Sequence, residues 1–185
     1  SYTLTNFVDE FEGASHDTNV WAIYDNRTNI SVTGGELHLN AILQGTNWTA
    51  GGIYTRIFIQ RFGYFETRFQ VGRDDGLNNA FWLLTPFSAN NAMDRLEIDI
   101  TEAHFHDESH MNIHDWAPTH VSSGATLSVP NIYPGYHTYG LEWNKDEIKS
   151  YVDGVMVRSV ENTHWHQPLY MIFDSETMPQ WFGMP

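Results

Sequence analysis

The amino-acid sequence predicts one all-β domain over residues 1–185, an antiparallel sandwich or barrel, from three observations. Short apolar runs alternate with polar residues at a period of two. Turn-forming residues break these runs at close intervals, and helical periodicity is nowhere sustained over three turns. The 185 residues suffice for one sizeable core.

Along the chain, GGELHLNAIL alternates Leu37, Leu39 and then Ile42 with polar neighbours, and YFETRFQV alternates Arg68 and Gln70 with apolar positions. AFWLL, RLEIDI, HTYGLEW, IKSYVDGVMV and PLYMIF read as further strands. Between them lie breaks rich in Gly, Asn, Asp and Pro: TGG, GRDDG, FSANNAMD, VPNIYPG and NKDE. Asp153-Gly154, flanked by β-branched residues, is a strong two-residue hairpin signal. No internal repeat, low-complexity tract or linker interrupts this pattern.

Composition narrows the function. The net charge of −14, from 9 Lys+Arg against 23 Asp+Glu, argues against nucleic acid and anionic membranes as partners, because both bind through cationic side chains. With no cysteine there is no disulfide, thiol nucleophile or thiolate metal site. No apolar run is long enough to span a bilayer. The 7 Trp, 9 Tyr and 11 Phe exceed what one small core needs, which points to flat platforms for sugar rings beside ordinary β-sheet packing.

The stretch Leu96-Glu97-Ile98-Asp99-Ile100-Thr101-Glu102 carries the chemistry. Leu96, Ile98 and Ile100 fall on one strand face, and Glu97 and Asp99 on the other. Strict alternation puts Glu102 on the apolar side. One extra residue, a β-bulge at Ile100–Thr101, returns it to the acidic face. Three carboxylates on one surface suit retaining glycoside hydrolysis, which needs two carboxyl groups about 5–5.5 Å apart. Their crowding raises the proton affinity of at least one, as an acid catalyst at neutral pH requires.

EIDITE matches at every fixed position the bulged Glu-x-Asp-x-x-Glu signature of glycoside hydrolase family 16, which the chain resembles over about four-fifths of its length. FVDEFEG with DTNVW resembles the family's first strand. GGIYTRIFIQRFGYFETRFQV resembles the strand pair leading into the cleft, NNAFWLL the strand carrying a cleft aromatic, and HTYGLEWNKDEIKSYVDG the later hairpin. The resemblance implies a jelly-roll β-sandwich of two curved antiparallel sheets with a concave substrate cleft. It implies Glu97 as nucleophile, Asp99 as its assistant and Glu102 as acid/base. Asn79, Trp82, His114 and Trp116 are implied as substrate contacts. It further implies a secreted enzyme with no required cofactor and a polysaccharide substrate.

Two departures bear on the reading. The Phe-Asp-Ser-Glu of FDSETMPQWFG is more similar to agar- and carrageenan-degrading members than to glucan-cleaving ones. This adds Glu176 as a substrate contact and leans the substrate toward an algal galactan (agarose, porphyran or carrageenan), with laminarin or mixed-linkage glucan as runner-up. The family's usual last strand, similar to Val-Asp-Tyr-Val-Arg-Val, is missing at WFGMP. It is either cut away or supplied by another segment, and a usual ligand of the family's structural calcium goes with it. Arg56, Arg61, Arg68, Arg73 and Arg95 read as strand-surface charges in preference to a sulfate-binding set.

Two rival readings rank lower. A metal enzyme would use His104 and His106, two apart, with His110 and His114 nearby, but no spaced carboxylate completes the set. No metal ligand is therefore assigned. A non-catalytic lectin-like module would need the aromatics but not three placed acids. A serine hydrolase lacks the Gly-x-Ser-x-Gly elbow.

Overall fold

The computed structural model describes residues 7–86 and 95–185. The FSANNAMD break falls entirely outside the described residues. Strands are numbered along the chain. The larger sheet runs in the order β1 (Trp21–Thr28), β6 (Gly51–Thr55), β15 (Tyr170–Thr177), β8 (Leu77–Leu84), β9 (Leu96–His104), β10 (Glu108–Asp115), β11 (Val121–Ser128). The smaller runs β14 (Val155–Glu161), β13 (Glu147–Val152), β12 (His137–Trp143), β7 (Gly63–Phe69). Two short hairpins, β2 (Ile30–Thr33) with β3 (Glu36–Leu39) and β4 (Ile42–Gln44) with β5 (Asn47–Thr49), stand outside both. Every pairing is antiparallel. The sandwich of two antiparallel sheets is the one expected.

Alternation builds the core. Ile53, Phe81, Leu83, Ile98, Ile100 and Ile113 of the larger sheet meet Phe65, Tyr139, Leu141, Trp143 and Ile148 of the smaller, all buried. Side chains one position on along the larger sheet then face the opposite way, toward the cleft. Asp153 and Gly154 close the β13–β14 hairpin with φ of 49° and 76°, the backbone that an Asp-Gly pair accepts at low cost.

The sequence patterning located seven runs correctly but passed over β1, β2, β5, β10 and β11, and β6 was reached only through the resemblance. In β10, ESHMNIHD, only Met111 and Ile113 carry the apolar alternation, and the opposite face is wholly polar: Glu108, His110, Asn112 and His114. β11 is the outermost strand and mostly exposed, so burial imposes little pattern on it. FVDEFEG forms no strand: β1 begins only at Trp21. The segment instead packs Phe7 and Phe11 against Trp21, whose indole donates to Asp9 Oδ2 at 2.7 Å. The chain continues from β15 into a single helical turn, α1 (Pro179–Phe182).

Candidate active site

The bulge lies where the parity of the acids demands it. Asp99 faces Asn112 and Glu102 faces His110, so Ile100 and Thr101 together oppose Met111. On the β8 side the register slips at the same place, between Phe81–Thr101 and Trp82–Asp99. Ile100 and Thr101 both turn inward. Ile100 joins the core, and Thr101, wholly buried, hydrogen-bonds Ser109 Oγ at 2.8 Å. Glu97, Asp99 and Glu102 thereby share one pocket with Tyr24, Arg27, Asn78, Ala80, Trp82, Asp174, Glu176 and Met178. Ala80 sits between Asp174 and Glu102 in the sheet, and its short side chain leaves the space between them open.

The three acids have different surroundings. Trp116 Nε1 donates to Glu97 Oε2 at 2.9 Å. Burial raises the Glu97 pKa, while that bond, a hydrogen bond from Asp99 and the charge of Arg95 pull it back. Asp99 is fully buried and held well above the ordinary carboxyl range, first by desolvation and then by the charges of Glu97 and Glu102. The hydrogen bond between the two favours the proton on Asp99 and the charge on Glu97. Glu102 accepts from Asn112 Nδ2 at 2.8 Å and from Asn78 Nδ2 at 3.0 Å. Desolvation outweighs these two bonds and pushes its pKa up to about 7. Near neutrality the pocket can hold one ionised and one protonated glutamate side by side.

Histidine and tryptophan frame the acids. His114 Nε2 is 3.4 Å from Asp99 Oδ2, and its ring stacks on Trp116 at 4.6 Å and 15°. His120 extends the stack, 4.1 Å from Trp116, and meets His114 Nδ1 at 2.9 Å. Trp82 donates to Asp174 Oδ1 at 3.0 Å. Trp82, Glu176, His114 and Trp116 therefore all stand on the cleft side with the acids. Asn79 does not. It is buried on the opposite face, where its amide donates to Ala103 O and accepts from Ser175 Oγ and Gly72 N. Strand alternation gives the cleft position to Asn78.

Sequence reasoning missed Asn78, Asn112, Arg27, Asp174, His120 and Trp165. Arg27 pairs with Asp174 at 3.1 Å and Glu176 at 2.7 Å and lies over the Tyr24 ring. None of the five arginines singled out above lines the pocket. Arg56 donates to Thr18 O, Arg61 and Arg68 lie over Phe62 and Tyr136, and Arg73 stands near Asp74. The histidine pair weighed for the rival metal reading does not converge: exposed His106 pairs with Asp75, while His104 converges on Glu108 and His110. Among the described residues this is one of two groups with metal-ligating chemistry, the other being Glu97, Asp99 and His114. Neither is the all-oxygen set that calcium takes, so the calcium expectation draws no support from them.

The profile of glycosyl hydrolases family 16 matches residues 17–180. The chain belongs to that family. Its curated relatives include the endo-1,3-1,4-β-glycanases EglC and ExsH of Rhizobium meliloti (strain 1021). EglC is 27% identical over 161 residues, covering 83% of this chain and 33% of the relative. ExsH is 30% identical over 142 residues, covering 72% and 29%. The chain thus spans about a third of the length of these relatives. Among solved structures, a laminarinase from Flavobacterium sp. UMI-01 superposes with a TM-score of 0.80 at 24% identity, covering 90% of this chain and 85% of that one. Porphyranase B from Zobellia galactanivorans superposes at 0.78 and 23%, covering 96% and 81%. These likenesses show the jelly-roll fold.

Proposed function

We propose that the protein is a retaining endo-hydrolase of an uncharged β-linked polysaccharide. The observation that carries this reading is the bulge at Ile100–Thr101, which brings Glu97, Asp99 and Glu102 into one cleft. The Glu97 carboxylate attacks the anomeric carbon as the glycosidic C–O bond breaks. Glu102 gives its proton to the departing oxygen. The resulting glycosyl ester of Glu97 is then opened by water, whose proton returns to Glu102, so the configuration is retained. The hydrogen bonds from Trp116 and Asp99 favour the carboxylate form of Glu97 and orient it for attack. Trp82, Trp116 and the His114–His120 stack offer the flat surfaces on which sugar rings pack.

Charge selects the substrate class. The pocket carries five carboxyl groups and, among the described residues, one guanidinium, and Arg27 is already held by Asp174 and Glu176. A sulfate ester entering this pocket meets five acids and a guanidinium already paired with two of them, Arg95 standing outside the lining. Within the galactans to which the Asp174–Glu176 segment leans, this favours agarose over porphyran and carrageenan. A second reading, a β-1,3- or β-1,3-1,4-glucanase, is favoured by EglC and ExsH, the relatives described above. Polymers of this size are met outside the cell, which supports a secreted protein. Among the described residues no helix is long and apolar enough to cross a membrane.

Product analysis over agarose, porphyran, carrageenans, laminarin and lichenan, with the first-formed anomer read by NMR, tests the proposal. New β-configured reducing ends from a neutral polymer are expected. Preferred cleavage of a sulfated polymer overturns the charge argument, and binding without cleavage of any overturns the enzymatic one.

A further inference from the structure

Beyond Glu102 along the same face, the β9–β10 hairpin gathers two imidazoles and a carboxylate that the hydrolytic reaction does not use. His104 is paired in register with Glu108, and His110, two residues further along β10, shares its face. Their Nε2 atoms converge on one oxygen, Glu108 Oε2, at 2.9 Å from His104 and 3.2 Å from His110. We propose that His104, Glu108 and His110 form a binding site for one divalent transition metal ion of zinc's class.

Hydrogen-bond accounting motivates the site. His104 Nδ1 lies 2.8 Å from Phe105 O, an atom that can only accept, so Nδ1 carries the hydrogen. In the neutral ring Nε2 then presents a lone pair to a carboxylate oxygen, which also only accepts. Two acceptors 2.9 Å apart require a positive centre between them, either a second proton on the ring or a metal ion. The second imidazole aimed at the same oxygen favours the metal: one ion satisfies all three donor atoms at once. The remaining nitrogen of His110 is likewise occupied, 2.9 Å from Thr126 Oγ1. Both rings thus have the outer-sphere anchoring that orients metal-bound histidine.

The spacing fits. Ligand atoms about 2.0–2.1 Å from a tetrahedral zinc stand roughly 3.3–3.4 Å apart, so the two Nε2–Oε2 contacts need to open by only a few tenths of an ångström, and all three ligand atoms lie within 4.8 Å of one another. The histidines are largely shielded, with side chains 13% exposed, while Glu108 is 47% exposed, leaving the fourth position on the solvent side. Imidazole and carboxylate together suit zinc, copper or nickel better than calcium. Phe182 stacks on His104 at 3.9 Å, and Trp181 lies 4.8 Å from His110. The site thus lies against the α1 turn, just past Met178 of the pocket wall.

Calorimetric titration of chelator-stripped protein with zinc chloride at pH 7.5 tests this. One equivalent of zinc is expected, weakened at least tenfold in Glu108→Ala and lost in the double variant His104→Ala/His110→Ala. His106→Ala and the pair His164→Ala/His166→Ala retain it. Because hairpin substitutions can perturb folding, zinc-edge anomalous diffraction on wild-type crystals gives an independent measurement. A peak about 2.0–2.1 Å from both Nε2 atoms supports the site. No peak there, or full zinc binding by the folded double variant, overturns it in favour of a plain ion pair.

Discussion

The indole nitrogen of Trp165 stands 3.0 Å from two main-chain carbonyl oxygens at once, those of Glu97 and His114. Its own carbonyl accepts from Trp143 Nε1 at 2.8 Å and from Asn162 Nδ2 at 2.8 Å. Trp143 belongs to β12 of the smaller sheet, so this chain of bonds joins the two layers at the backbone of the proposed nucleophile. Trp165→Phe keeps most of the apolar volume and removes only the donor. Two buried carbonyls then lose a partner, a loss of about 1–3 kcal/mol. If Trp165 positions Glu97, kcat falls roughly ten- to a hundredfold with KM little changed. A folded Trp165→Phe protein with unaltered kcat limits Trp165 to a structural role.

Glu97→Ser removes the carboxylate that forms the covalent ester. Turnover is expected to fall roughly 10⁴-fold or more, as for other covalent nucleophiles. Circular dichroism and the melting temperature should stay near those of the native protein, because Glu97 contributes no core packing. Binding of the polymer persists. Retained activity in this variant sinks the nucleophile assignment.

The pKa of Glu102, about 7, fixes the alkaline side of the pH profile. The acid form donates the proton, so kcat/KM declines as pH rises through that value. The hydrogen bonds from Asn78 and Asn112 both favour the carboxylate and hold the pKa down. Removing one of them by Asn78→Ala therefore raises it and moves the alkaline limb to higher pH. A limb that stays in place or moves down contradicts this role for Asn78.

Which parts of this site are legible in the sequence follows from where the signal resides. The parity of Glu97, Asp99 and Glu102 about Ile98 and Ile100 is local, so the bulge can be predicted from seven residues. Trp116 and His114 were reachable through family resemblance. Arg27, Asp174 and Glu176 come together only because β1, β6, β15 and β8 are neighbours in the sheet, an order that no local pattern encodes. The mistaken choice of Asn79 over Asn78 is a one-residue error of register, and in a strand that exchanges faces completely. Trp165 lies outside any strand, and nothing in NTHWHQ distinguishes it from a surface aromatic.

The same buried acids make stability depend on pH in an unusual direction. Folding raises the pKa of Glu102 from 4.5 and that of Asp174 from 3.8, each to about 7. Between those limits the native state binds more protons than the unfolded chain, so stability falls as pH rises. The contribution is fully present below about pH 4 and lost as pH climbs through about 7. For Glu102 alone the change is at most roughly 3.5 kcal/mol at about 1.4 kcal/mol per pH unit. Glu102→Gln also weakens one of the two asparagine bonds, since an amide has one acceptor oxygen. That offset is nearly the same at every pH. Denaturant midpoints measured from pH 5 to 8 should therefore decline less steeply in Glu102→Gln than in the native protein. Parallel curves for the two proteins show instead that Glu102 is ionised throughout this range, which also removes it as the proton donor at neutral pH.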